Sequence, residues 1–138
     1  MVSSFYSQSE LDELGLHSFG SNVFISKKAS IYSPELLVIG NNVRIDDFCI
    51  LSGNIRVGNN IHISAYTALY GKYGIELQDF STVSARNLIY SATDDYSGAY
   101  LTNPMLPEEF TNVTGGKVLL EKHSIIGAGC VVLPNITL

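Results

Sequence analysis

The chain has 138 residues, of which 46% are hydrophobic, and this content is enough for one domain with its own core. Its formal net charge of −5 argues against a nucleic-acid-binding surface and against a polybasic membrane anchor. No apolar run is long enough to cross a bilayer, the start does not read as a signal peptide, and the two cysteines are far apart. We therefore expect a reduced, cytoplasmic protein with neither a metal motif nor a disulfide framework.

The first predicted element is a short helix in the segment SQSELDELG. Ser7 and Glu10 have the spacing of a capping box, and Gly15 is suited to ending the helix. We expect residues 1–18 to form a helical cap over the first coil of a repeat structure, because an exposed end of a solenoid invites aggregation.

A six-residue repeat of aliphatic side chains runs through residues 19–89 and returns in residues 119–138. An amphipathic helix would repeat every three or four residues, and a plain strand would alternate without a six-residue period. The pattern instead predicts short strands joined by tight turns and stacked so that each repeat adds to one core column. Within each uninterrupted run the positions are six apart: Ile25 and Ile31; Ile39, Ile45, Leu51, Val57, Ile63 and Leu69; Leu77, Val83 and Ile89; Leu120, Ile126, Val132 and Leu138.

The tripeptide GNN predicts how the repeats combine. It starts at Gly40 and again at Gly58, eighteen residues later, so three repeats are expected to form one coil. These glycines directly follow the first residue of a repeat, where we expect turns that profit from a permissive backbone. Stacking the coils in register predicts two outward columns of side chains: Asn42, Asn60, Phe80 and His123 in one, and Arg44, His62, Thr82 and Ile125 in the other.

The repeat resembles that of the hexapeptide-repeat acyltransferases. The match is best in LLEKHSIIGAGCVVLPNITL, which is similar to a block of the sugar O-acetyltransferases, with Glu121, Ile125 and Asn135 as departures from that block. The resemblance implies an all-β fold, namely a left-handed parallel β-helix of triangular cross-section, in a single domain over residues 1–138. Members of the family continue with further coils, so we expect this chain to be truncated at its C-terminus.

The same resemblance implies a function. It implies acetyl-CoA as co-substrate, a sugar or sugar-nucleotide acceptor, no metal, and a homotrimer with each site between two chains. The leading prediction is an acetyltransferase that acts on a sugar hydroxyl in cell-surface polysaccharide biosynthesis. Two alternatives stay open: an N-acetyltransferase of an amino-sugar nucleotide, and a non-catalytic β-helix scaffold. A metal-dependent hydratase of the γ-carbonic-anhydrase kind fits poorly, because the spacing of His17, His62 and His123 does not match its three-histidine site.

A long polar segment interrupts the repeat at residues 90–118. Loops of this length in compact proteins are usually functional or disordered, and the aromatic residues and two prolines here favour an ordered active-site loop. In the family, this break carries the histidine that acts as general base. The matching positions here hold Asp94 and Asp95, so the histidine that performs this role in the family is absent from this chain. Tyr96 and Asn103, in the same loop, are candidate substrate-binding residues.

The identity of the base is open at the level of sequence. Asp94 or Asp95 is a candidate because adjacent carboxylates in a partly closed site raise one another's pKa; alternatively, the TDD segment is a simple Asx turn. His62 lies in a segment similar to one in amino-sugar-nucleotide acetyltransferases, but it also fits a hydrogen-bonded surface residue. His123 is a further candidate, at a position that is often Asn in the family. An amine acceptor needs less help from a base than a hydroxyl does.

The resemblance also locates the co-substrate. Gly127, Ala128 and Gly129 match the small residues along which the arm of coenzyme A runs in the family, although the glycines are also explained by turns alone. With the site between two chains, Asp94 or Asp95 would meet His62 or Tyr66 of a neighbouring subunit, and Tyr66 is therefore a third candidate substrate-binding residue.

Overall fold

The chain folds into a left-handed parallel β-helix, as the family resemblance implies. The computed structural model describes residues 3–138. It contains one α-helix, α1 (Gln8–Glu13), and two short 3-10 helices, Pro34–Leu36 and Glu108–Phe110. The strands are β1 (Ser18–Phe19), β2 (Val23–Ile25), β3 (Ser30–Ile31), β4 (Leu37–Ile39), β5 (Val43–Ile45), β6 (Ile50–Val57), β7 (Ile61–Ile63), β8 (Ala68–Leu77), β9 (Thr82–Val83), β10 (Leu88–Tyr90), β11 (Ala92–Thr93), β12 (Thr114–Gly115), β13 (Val118–Leu120), β14 (Ile125–Ile126) and β15 (Val131–Val132).

The coils present three faces of parallel strands. The first face holds β1, β4, the ends of β6 and β8, and β13; the second holds β2, β5, β7, β9 and β14. The third holds β3, the starts of β6 and β8, β10 and β15. We call the bend that follows each face the first, second and third corner. Val43 pairs with Ile61 and Ile45 with Ile63, so this coil takes eighteen residues, as GNN predicts, whereas the register of Val23 with Val43 and of Ile63 with Val83 gives twenty.

Both predicted outward columns are confirmed by the register. On the second face, Arg44 pairs with His62, His62 with Thr82, and Thr82 with Ile125. At the first corner, the members of the other column all have a left-handed backbone, with φ of 58° at Asn42 and Asn60, 64° at Phe80 and 68° at His123. A shared backbone conformation at equivalent positions is what a strict repeat requires.

The core is the inward column of repeat aliphatics. Nearly all of them are buried in a single cluster; at the two ends of the column Ile31 is half-buried and Leu138 is 46% exposed. Burying a side chain of this size stabilises the fold by about 1.5–3 kcal/mol. The core therefore forms one continuous column, and each coil depends on the coils beside it.

The glycines after the first face have a different role from the predicted one. Gly40 and Gly58 do not have a positive φ; Asn42 and Asn60, two positions later, carry it instead. A Cβ at Gly40 would lie 2.6 Å from the carbonyl oxygen of Gly58 in the next coil, and one at Gly58 would lie 2.5 Å from Oδ1 of Asp79. The prediction of a permissive backbone was wrong here, because close approach of successive coils is what excludes a side chain.

The N-terminal helix has the predicted capping box. The Ser7 hydroxyl accepts a hydrogen bond from the Glu10 amide, and the Glu10 carboxylate accepts one from the Ser7 amide. Leu11 is buried within the core cluster, so α1 packs against the first coils. Within residues 3–138, no helix has the length and apolar character needed to cross a membrane.

A long loop leaves the coil at the third corner, after β10, and returns at β13, as expected. Its neck is the antiparallel pair β11–β12, in which Ala92 lies opposite Gly115 and Thr93 opposite Thr114. Ser91 ties the neck to the coil beneath it: its hydroxyl accepts from the Tyr73 amide and donates to the Tyr70 carbonyl. The start of the loop is therefore a continuation of the β-helix.

Truncation of one core side chain should destabilise the whole β-helix. Leu69 is fully buried in β8, and we expect Leu69→Ala to lower the free energy of unfolding by about 2–5 kcal/mol because it leaves a cavity between coils. Ile125→Ala is the control, since Ile125 is 73% exposed and its loss should change stability by less than about 0.5 kcal/mol. Denaturant unfolding measures both, and equal effects would contradict the single-column core.

Candidate functional site

The second corner carries a column of aromatic and basic side chains. The rings of Phe48 and Tyr66 stack with their centroids 5.1 Å apart. The Lys28 ammonium lies 5.7 Å from the Phe48 ring centre, and the Arg86 guanidinium lies 5.8 Å from that of Tyr66. Tyr66 nevertheless keeps 54% of its surface exposed, so this candidate residue is accessible to a ligand.

The same corner continues into the strip of small residues that the sequence singles out. Gly127, Ala128 and Gly129 are all exposed, and a Cβ added at either glycine would meet nothing within 4 Å. Gly129 has a φ of 73°, a backbone conformation that favours glycine, so the turn alone accounts for this residue. Gly127 does not have a positive φ, so its turn does not require glycine. Within residues 3–138, the backbone amides of Ala85 and Ala128 donate no hydrogen bond to a protein group. The strip is therefore an open surface with free donors.

A buried polar ladder supports this corner from inside. The Asn87 side chain donates to the Ser84 carbonyl at 2.8 Å and accepts from the Cys130 amide at 2.6 Å. The Thr67 hydroxyl also donates to the Ser84 carbonyl, at 3.1 Å. Sequence reasoning missed Ser84 and Asn87, since neither differs from an ordinary turn residue in a single sequence. These bonds hold the outer corner in a fixed shape.

His62 forms an ion-pair cluster on the second face. Its Nε2 lies 2.7 Å from one oxygen of Asp46, whose other oxygen accepts from Nε of Arg44 at 2.6 Å. Burial raises the pKa of Asp46, but the hydrogen bonds from His62 and Arg44 outweigh that effect and hold the pKa below its usual value. The ring nitrogen nearest Asp46 is thus engaged within the chain, which matches the alternative of a hydrogen-bonded surface histidine.

His123 lies at the first corner, away from both the loop and the small-residue strip. Its ring is parallel to that of Phe80, with centroids 5.1 Å apart and an interplanar angle of 3°. Its amide donates to the Asp79 carbonyl of the coil below at 3.3 Å. A packing role explains these contacts, and within one chain the structure does not bring His123 to the other candidates.

The two loop aspartates have different surroundings. Asp95 accepts from the Ser97 amide at 2.8 Å and from the Asn112 side chain at 2.9 Å. Hydrogen bonding from the Ser97 side chain, then from the Asn112 side chain and then from the Ser97 amide, lowers the pKa of Asp95, so the expectation of a raised pKa was wrong for this residue. Asp94 is half-buried, and within residues 3–138 no hydrogen bond or ion pair engages its carboxylate. Only Asp94 is free to bind a ligand through both oxygens.

The remaining loop candidates lie further out. Tyr96 is 78% exposed. The Asn103 side chain accepts from the Met105 amide at 2.8 Å, which is an Asx turn within the loop. Neither is brought to the second corner within one chain, because the third face lies between that corner and the loop.

The three histidines do not converge. His17 precedes β1, His62 lies on the second face and His123 lies at the first corner. Across residues 3–138, no three His, Cys, Asp or Glu side chains are arranged to hold a metal ion.

Comparison with known proteins shows the family. No family model matches the chain. The dTDP-4-amino-4,6-dideoxy-D-glucose acyltransferase of Escherichia coli is 46% identical over 132 residues, which cover 94% of this chain and 69% of that protein. AntD, an N-acyltransferase from Bacillus cereus, has been solved with dTDP and 3-hydroxybutyryl-CoA; it is 55% identical, with a TM-score of 0.95, over 99% of this chain and 73% of AntD.

Variants of AntD have also been solved. The S84C variant, in complex with dTDP-4-amino-4,6-dideoxyglucose and coenzyme A, is 54% identical with a TM-score of 0.95, over 99% of this chain and 74% of the variant. The D94A variant, in complex with dTDP and coenzyme A, is 55% identical with a TM-score of 0.95 over the same shares. From this similarity in sequence and fold, we conclude that the chain belongs to the family of acyl-CoA-dependent acyltransferases that are built on the left-handed β-helix.

Proposed function

We propose that this enzyme transfers an acyl group from acyl-CoA to the amino group of a dTDP-linked amino sugar. The observation that carries the proposal is the 54% identity, over 99% of the chain, to an N-acyltransferase solved with dTDP-4-amino-4,6-dideoxyglucose and coenzyme A. The sequence alone favours a hydroxyl acceptor and keeps the amine as an alternative. We now favour the amine.

The chemistry of the loop supports nitrogen. The sugar O-acetyltransferases that the repeat resembles have a histidine at this break, and this chain has a carboxylate there. An unperturbed carboxylate is a weaker base than an imidazole by about 2.5 pH units. It is poorly suited to activating a hydroxyl, but it attracts an ammonium group and accepts a proton from nitrogen as nitrogen becomes an amide.

Asp94 is the better candidate of the two loop aspartates. Its carboxylate is free of contacts within residues 3–138, whereas both oxygens of Asp95 are engaged. The AntD variants change an aspartate numbered 94 and a serine numbered 84 in that protein, and this chain has Asp94 and Ser84. We infer that these positions correspond, because the similarity covers 99% of this chain.

The transfer step then needs few protein groups. The acceptor loses one proton to solvent as its ammonium becomes a free amine. The nitrogen lone pair attacks the thioester carbon, a carbon–nitrogen bond forms, and the carbon–sulfur bond breaks. Asp94 takes the second proton from nitrogen and returns it to the departing thiolate, so coenzyme A leaves as a thiol. The free amides of Ala85 and Ala128 are donors for the co-substrate at the second corner.

A second subunit completes the proposed site. Within one chain, the loop and the small-residue strip lie at different corners of the β-helix. A cyclic trimer, which the family resemblance implies, would place the loop of one subunit against the second corner of the next. Asp94 would then face Tyr66 or His62 of that neighbour, with the arm of coenzyme A along Gly127 to Gly129. We also propose a cytoplasmic enzyme whose product enters cell-surface polysaccharide synthesis.

The acceptor atom can be tested directly. We expect release of coenzyme A thiol with dTDP-4-amino-4,6-dideoxyglucose, and at least about 10²-fold lower kcat/KM with the matched sugar nucleotide that has a hydroxyl at carbon 4. Acetyl-CoA and 3-hydroxybutyryl-CoA should be compared as donors, and mass spectrometry should show an amide product. A faster reaction with the hydroxyl acceptor would refute nitrogen transfer, and no reaction with either would refute the proposed function.

Removal of the proposed base gives a second test. Asp94→Asn keeps the size of the side chain, and we expect kcat to fall by about 10²–10³-fold with little change in KM for acyl-CoA, because proton transfer is lost. Glu108→Gln is the matched control, since it neutralises another carboxylate of the same loop, one that is exposed. Equal effects of the two substitutions would mean that Asp94 contributes only charge.

A further inference from the structure

Asp95 occupies a defined position in the neck of the loop. In the β11–β12 pair, Ala92 lies opposite Gly115 and Thr93 opposite Thr114. Continuing this antiparallel register places Asp94 opposite Val113 and Asp95 opposite Asn112. The side chains of Asp95 and Asn112 are in fact joined by a hydrogen bond of 2.9 Å. A side-chain bond therefore extends the ladder two pairs beyond its last backbone pair.

This arrangement leaves Asp94 between two cross-strand connections. On the inner side is the backbone pair of Thr93 and Thr114, and on the outer side is the bond between Asp95 and Asn112. Continuing the alternation of a strand beyond β11 would put the side chains of Asp94 and Asp95 on opposite faces of the neck. Further along the loop, the next cross-connection is the Leu101 amide donating to the Phe110 carbonyl at 2.8 Å.

The inner end of the neck is fixed to the β-helix. The Ser91 carbonyl accepts from the Gly116 amide at 2.9 Å, and Gly115 packs so closely on Ser91 and Tyr73 that a Cβ would not fit there. The Tyr73 hydroxyl also reaches the Val113 carbonyl, at 3.5 Å. Without the bond between Asp95 and Asn112, however, no hydrogen bond within residues 3–138 would join residues 94–96 to residues 112–113.

We infer that Asp95 is a positioning residue: by accepting from Asn112 and from the Ser97 amide, it closes the neck of the loop and holds Asp94 in its reactive orientation. This inference rests on the proposed role of Asp94. Both Asp95 oxygens are used, one for each donor. The hydrogen bonds that Asp95 accepts lower its pKa and so favour the ionised carboxylate.

A reciprocal exchange of the two side chains tests the inference. In Asn112→Asp, the new carboxylate faces the Asp95 carboxylate, so the cross-strand bond is lost because neither group has a proton to donate, while the Ser97 amide keeps its acceptor. We expect kcat to fall by about 10²-fold, the effect of a small misplacement of a reactive group, with KM for acyl-CoA unchanged. Combining Asp95→Asn with Asn112→Asp restores the bond with donor and acceptor reversed, and we expect it to recover most of kcat.

Amide hydrogen exchange of residues 93–113, measured without substrates, supplies a readout that does not depend on the reaction. We expect faster exchange in Asn112→Asp and near-normal exchange in the double variant. Glu108→Gln, which neutralises an exposed carboxylate of the same loop, is the control and should leave both readouts unchanged. Thermal unfolding checks that each variant is folded.

The outcomes separate the two proposals. Rescue of both exchange and kcat by the double variant supports the inference. A double variant with normal exchange but the low kcat of Asn112→Asp would overturn it, because the Asp95 carboxylate would itself be reacting. Unchanged exchange in Asn112→Asp would also overturn it. If the unmodified enzyme acylates no amino sugar, the proposed function fails, whereas the exchange measurements still decide whether Asp95 closes the neck.

Discussion

The burial of one aliphatic side chain every six residues is the interaction on which the rest of the structure depends. Each uninterrupted coil takes eighteen or twenty residues, and equivalent positions of successive coils stack in parallel register. Where two coils meet at Gly40 and Gly58, the backbones approach too closely for any side chain. The core positions repeat from coil to coil, whereas the outward side chains and the bends differ. We therefore expect substrate-binding and catalytic residues at the corners and in the loop inserted at one of them.

The second and third corners of the β-helix differ in the side chains that they expose. At the second corner, stacked aromatic and basic side chains give way to an open strip of small residues with free backbone amides. The long loop emerges from the third corner and presents Asp94 at a neck tied to the coil. The β-helix supplies rigidity. Among the proposed catalytic carboxylates, and within residues 3–138, that of Asp94 is the one without internal contacts. A rigid frame with one free carboxylate suits a reaction that needs positioning more than a strong base.

Sequence reasoning was most successful where a side chain is repeated. The coil length, the core, the columns through His62 and His123, and the site of the loop all follow from the six-residue period. It was less successful where a contact joins residues that the period does not relate. The roles of Gly40 and Gly58 depend on the distance between coils, and that of Asp95 depends on Asn112, seventeen residues away within an irregular segment. His62 stayed ambiguous because Asp46, its partner, comes from the preceding coil. A single sequence does not display such pairs, since each is set by tertiary packing.

We propose that Asp94, held at the neck of the loop, takes the proton from an amino-sugar nucleotide at a site completed by a second subunit. A crystal structure of the enzyme with coenzyme A and dTDP-4-amino-4,6-dideoxyglucose would show the acceptor nitrogen and its neighbours. We expect the sugar nitrogen to lie about 2.6–3.2 Å from an oxygen of Asp94, with the thiol along Gly127 to Gly129 of a neighbouring chain. A sugar nitrogen held by another base, with Asp94 pointing to solvent, would contradict it.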